Sequence, residues 1–150
     1  VGKGTYFPIC SMNTAFLKEV IPAFYQSYSN FMGIDRFDDI WSGVFLKKTA
    51  DHLERRVSLG SPLVDHRKRP RDTFRDLRKE FEGMVINEKL WTLVDKTELE
   101  GSTYWDAYNS LTEELEKGIS QAFPEPLYPP FLQIPLRKMT LCLRIIDTLT

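Results

Sequence analysis

Apolar positions along this chain fall into two short compact runs and several longer stretches at helical spacing. The run Thr5-Tyr6-Phe7-Pro8-Ile9-Cys10 reads as a short buried strand. Ser11 or Asn13 then caps a helix with Phe16, Val20, Ile21 and Phe24 on one stripe, kinked or broken at Pro22. After the loop containing Gly33, Asp38 and Asp39 precede the clearest helical pattern of the chain. It carries Ile40, Trp41, Val44, Phe45 and Leu53 and ends near Arg55 and Arg56. Val57 to Val64 predicts a second short strand, interrupted by Gly60 and Pro62, with Asp65 and His66 at its C-terminal end. Asp72 is placed to cap a helix whose apolar side is Phe74, Leu77 and Phe81, with Gly83 ending or bending it. Ser102-Thr103 caps another, carrying Trp105, Tyr108, Leu111, Leu115 and Ile119. Pro124, Pro126, Pro129 and Pro130 predict an extended linker, and Ile134 to Leu149 a last helix.

Two strands are too few for an independent sheet, so the pattern predicts an α/β part whose other strands lie upstream, followed by a helical tail. The 150 residues are 42% hydrophobic and 27% charged, enough apolar material for one ordinary domain. Twenty basic against twenty-one acidic residues leave a net charge of −1, which argues against nucleic acid as the partner. Met139 to Leu149 is interrupted by Arg144 and Asp147 and falls short of the ~18 apolar residues of a membrane span. Cys10 and Cys142 fit neither a disulfide framework nor a zinc motif, which favours a reducing, cytoplasmic setting. The opening Val-Gly-Lys-Gly-Thr, without initiator Met or signal pattern, reads as a chain entered in mid-domain.

Three places concentrate chemistry. Asp38 and Asp39 stand at a loop-to-helix junction behind Arg36; one Asp suffices for a cap, and the pair is also suited to hold a sugar hydroxyl, act as a base or support a cation. Asp65-His66 opens the basic loop Arg67-Lys68-Arg69-Pro70-Arg71. There the imidazole suits a divalent metal and the cations a diphosphate, the plainer alternative being a solvated surface loop. Gly2-Lys3-Gly4-Thr5 is too short for a P-loop; its glycines suit a sharp turn or close approach of backbone to a ligand. His52 reads as structural or exposed, and the aromatics of 104–123 as core.

The ordered string Lys3-Gly4-Thr5, Phe7-Pro8, Cys10, Met12-Asn13, Ala15-Phe16, then Arg36-Phe37-Asp38-Asp39-Ile40-Trp41-Ser42-Gly43, resembles the second half of the reversibly glycosylated polypeptides, the UDP-arabinopyranose mutase family. Gly60, Pro62, His66, Phe74, Leu77, Lys79-Glu80-Phe81 and Gly83 continue the likeness over residues 3 to 90. The resemblance implies the acceptor-side half of a GT-A-like nucleotide-diphospho-sugar fold over 1–100. A helical C-terminal extension, with a Pro-rich linker near 124–130, would occupy 101–150. It implies a metal-dependent UDP-sugar mutase or a glycosyltransferase-like enzyme, with a non-catalytic scaffold that retains the fold as the alternative. Asp38 and Asp39 would be the catalytic pair and His66 a ligand to Mn²⁺ or Mg²⁺, while Lys3, Gly4, Thr5, Asn13, Arg36, Trp41 and Lys68 would contact the UDP-sugar. The implied partners are an N-terminal half or a chain supplying it, and a second copy in a homo-oligomer. The implied location is the cytoplasm, peripheral to Golgi membranes in a eukaryote.

Overall fold

The computed structural model describes residues 1–30, 33–34, 36–67 and 70–149. It contains four α-helices: α1 (Phe37–His52), α2 (Thr73–Lys96), α3 (Tyr104–Ala122) and α4 (Tyr128–Leu149), preceded by short 3-10 segments at Ser11–Asn13 and Lys18–Ala23. No strand occurs among the described residues, so the expected α/β half of a GT-A-like fold is not what the chain forms.

Residues 5–10 are no sheet strand because their backbone is laid on a helix. A Cβ on Gly43 of α1 would stand 2.6 Å from the Ile9 nitrogen and 2.7 Å from the Phe7 carbonyl oxygen, and the Ile9 N–H donates to the Asp39 carbonyl at 3.4 Å. Glycine at this helical position is what lets the two backbones touch. Residues 57–64 likewise form no ladder, although the Val57 carbonyl accepts from the Val1 ammonium at 2.7 Å, and Leu59, Leu63 and Val64 are exposed around Gly60 and Pro62. Gly60 and Pro62 weaken ladder formation, the first through its entropy and the second through its missing donor.

α3 is the central element and packs against α1, α2, α4 and the Lys18–Ala23 segment. Thr103 caps it by accepting from the Asp106 N–H at 3.1 Å, and Tyr108, Leu111, Leu115 and Ile119 are buried along its length. α4 begins earlier than its sequence suggests, because Pro129 and Pro130 fall in its first turn, where the N–H groups lack intrahelical partners anyway. Its buried face is Phe131, Leu132, Pro135, Leu136, Met139 and Leu143.

α2 departs from expectation in two ways. Asp72 does cap it, accepting from the Phe74 and Arg75 N–H groups at 3.1 Å each. The helix then runs through Gly83, where a Cβ would meet the Phe37 ring at 2.2 Å; the glycine serves close packing rather than termination. Its buried residues are Gly83, Ile86, Leu90 and Val94, whereas the expected core side chains Phe74, Leu77 and Phe81 are exposed. The Phe16 to Phe24 stretch is also shorter than expected, a six-residue 3-10 segment with Pro22 inside it.

Candidate functional site

α1 is buried on nearly every side, and among its apolar residues stands a fully buried lysine. A lysine reaches such a position only when paired. Lys47 donates to both carboxylate oxygens of Asp51, one turn further on, and to the Gly2 carbonyl at 2.9 Å. Asp51 in turn accepts from the Gly4 N–H at 2.9 Å. The pair therefore fastens the Gly2-Lys3-Gly4-Thr5 loop at two backbone points, with Gly4 at φ 74° and the Thr5 N–H closing the turn onto the Gly2 carbonyl at 3.3 Å.

Beside this loop lies a polar cleft of about 540 Å³ between the C-terminal ends of α1 and α2. Lys3, Tyr6, Lys48, Asp51, His52 and Asp95 contribute to its walls. The Tyr6 hydroxyl donates to Asp95 Oδ1 at 2.9 Å, and Lys48 Nζ donates to the Asp95 carbonyl at 2.7 Å. Burial, and then the neighbouring Asp95 carboxylate, push the Tyr6 phenol well above its ordinary range, so it remains a hydrogen-bond donor at any physiological pH. Burial also pulls the Lys48 ammonium below its usual value, against the favourable pull of Asp95 and Asp51. His52 Nε2 donates to the Gly101 carbonyl at 2.9 Å, tying the loop after α2 to the end of α1. The cleft thus offers ammonium donors, a carboxylate already polarised by a phenol, and backbone held at fixed positions. That donor set suits a ligand rich in hydroxyl or anionic oxygens.

Of the residues singled out in the sequence, Lys3 and Gly4 line this cleft, and Thr5 closes the turn beside it. Asp38 and Asp39 lie in the first turn of α1, and Asp39 and Asp51 are separated by about 18 Å along the helix at ~1.5 Å per residue. The structure does not bring the two groups together. Neither aspartate caps the helix: its N-cap is Arg36, in the left-handed region at φ 67° and without a side-chain cap bond. Burial and the adjacent Asp38 raise the Asp39 carboxyl above the ordinary aspartate value. The Arg36 guanidinium is engaged by Asp76 and Glu80 of α2, at 2.7 and 2.5 Å. Trp41 is 1% exposed, with its ring between Phe37 and Phe131.

Asn13 lines a separate apolar groove of about 660 Å³ with Phe7, Phe16, Leu17, Val20 and Leu59. His66 is exposed in the segment between α1 and α2, and Lys68 lies outside the described residues. Among the described residues no three His, Cys, Asp or Glu side chains converge on a point where a metal would sit, so His66 does not join Asp38 and Asp39. These residues do not by themselves make a metal site. Both cysteines are free, and no described helix is long and apolar enough to cross a membrane.

Tyr6, Lys47, Lys48, Asp51 and Asp95 carry the cleft and were not singled out in the sequence. Lys47 and Asp51 had a readable signal: opposite charges four residues apart in a helix that is buried on most sides. Tyr6 and Asp95 are joined only by the tertiary fold.

The chain is thus a helical unit with a backbone loop clamped beside a polar cleft. The family model "Reversibly glycosylated polypeptide" matches residues 1–126, and the chain belongs to that family. UDP-arabinopyranose mutase 2 of Arabidopsis thaliana is 34% identical over 131 residues, covering 83% of this chain and 35% of that protein. UDP-arabinopyranose mutase 1 of Oryza sativa subsp. japonica matches with the same identity and coverage. A probable UDP-arabinopyranose mutase 1 of Pisum sativum is 39% identical over 95 residues, 60% of this chain and 25% of that protein. The chain spans about a third of the length of the first two of these relatives.

Proposed function

We propose that this chain supplies part of a UDP-sugar mutase and that its cleft at the C-terminal end of α1 receives the sugar nucleotide. The carrying observation is the buried Lys47–Asp51 pair, which holds the Gly2 carbonyl and the Gly4 N–H beside the polar cleft. A buried ion pair adds little net stability over apolar packing, so its value here is positional. Asp95 accepts from a sugar hydroxyl while the Tyr6 phenol holds its other side; Lys3 and Lys48 donate to ring, hydroxyl or phosphate oxygens. Fixed donors and acceptors of this kind orient a ring without reorganising around it. Every contact in this reading comes from the chain's own side chains and backbone, and no step of it runs through Mn²⁺ or Mg²⁺.

A second reading rests on Asp39, whose raised carboxyl pKa suits a general base and whose side chain is not used as a cap. Asp95→Asn and Asp39→Asn, introduced separately into the full-length enzyme, distinguish the readings by turnover of UDP-arabinopyranose. A large loss with Asp95→Asn supports the cleft, a loss confined to Asp39→Asn supports the α1 N-terminus, and wild-type turnover in both supports a scaffold role instead.

A further inference from the structure

The N-terminal half of α2 shows an apolar stripe on its outer face. Phe74, Leu77, Phe81 and Met84 are between 42% and 77% exposed, and they follow one another at intervals of three, four and three residues. At ~100° per residue they fall within an arc of about 80°, the narrow seam of a coiled-coil helix rather than the broader face of a helix packed on a core. The stripe resumes at Trp91 beyond Glu88. The core-facing side of α2 begins only at Gly83, so in the first turns the stripe is the helix's one apolar face.

The charges around the stripe are unbalanced. Each acidic residue of this stretch is engaged within the molecule. Asp72 caps the helix, Asp76 and Glu80 hold Arg36, and Glu82 accepts from the Tyr128 hydroxyl at 3.1 Å. Arg71, Arg75 and Arg78 are exposed and form no ion pair among the described residues. Arg78 directly flanks the stripe.

We infer that this face docks a helix from outside residues 1–150, apolar at heptad a and d positions and acidic at the flanking positions. The seam is too narrow for a bilayer surface, which favours a wide apolar face, and the unspent positive charge selects an acidic partner. A second copy of this chain would bring the same three arginines to the face, and Glu88, the exposed acid on its own stripe, is a single charge against them.

The probe is a fluorescent three-heptad peptide with Leu at a and d and Glu at e and g, titrated into the full chain by anisotropy. Its counterpart with Lys at e and g is the control. Saturable one-to-one binding is expected for the Glu peptide, at least ten times tighter than for the Lys peptide and weakened by added salt. Leu77→Asp with Phe81→Asp abolishes it. Arg75→Glu with Arg78→Glu reverses the preference between peptides, and this variant keeps the test decisive should the first not fold. Equal affinity for both peptides, or for neither, overturns the inference. So does a concentration-dependent dimer removed by Leu77→Asp, or equal loss of binding to phosphatidylglycerol vesicles without any peptide preference.

Discussion

Lys47 and Asp51 form an ion pair inside the molecule, with side chains 1% and 10% exposed, and that pair is what the N-terminal loop is tied to. Lys47→Met leaves the Asp51 carboxylate buried without its counter-ion and costs about 3–5 kcal/mol. Lys47→Met combined with Asp51→Leu costs clearly less, because no charge remains stranded. Urea unfolding measures both, and limited trypsin digestion at Lys3 reports the released loop.

Gly43→Ala separates the extended segment from α1. The added methyl meets backbone of Phe7 and Ile9, which has no rotamer with which to yield. A loss of about 1–3 kcal/mol is expected, with faster hydrogen exchange at the Ile9 amide. Gly60→Ala, where nothing lies within 4 Å, changes stability by less than about 0.5 kcal/mol.

Arg36 combines a left-handed backbone with two carboxylate partners on α2. Arg36→Ala and Arg36→Gly both lose the partners, but glycine relieves the backbone strain. The alanine variant is therefore less stable by about 1 kcal/mol. Chemical denaturation compares them, and hydrogen exchange across 74–82 rises in both as the start of α2 loosens.

α2 and α3 were legible in the sequence because their signals are local. Asp72 and Thr103 cap where side-chain oxygens three residues from a free N–H predict it, and the α3 stripe repeats at 3.6. The strands were misread because a short apolar run has no period of its own. Phe7 and Ile9 suit a sheet equally well, and only Gly43, far along the chain, shows that a helix receives them. The α2 stripe was misread for a related reason: periodicity reports an apolar face, not which partner covers it. Of the residues lining the cleft, Gly4 draws notice in the sequence as a glycine suited to a sharp turn and Lys3 through the family resemblance, whereas Tyr6 and Asp95 share no local pattern.

Asp39 gives a pH signature. Its folded pKa is raised, so the native state holds the proton more tightly than the unfolded chain does. Stability from this group is greatest below the ordinary aspartate pKa and falls as pH rises through the ordinary and then the raised value. Asp39→Asn is consequently more stable than the parent at pH 7, and the gain disappears under acid conditions. Thermal melts of both proteins across that range check the sign.

The claim that the cleft meets the sugar nucleotide is tested most directly by Tyr6→Phe in the full-length enzyme, with kcat/KM for UDP-arabinopyranose as the measurement. The substitution removes one hydroxyl and the hydrogen bond that steadies Asp95, while leaving the ring in place. A fall of at least about tenfold with an unchanged melting temperature is the predicted result, corresponding to the loss of one positioned hydrogen bond to a charged group. Wild-type kcat/KM in a normally folded Tyr6→Phe enzyme would contradict it.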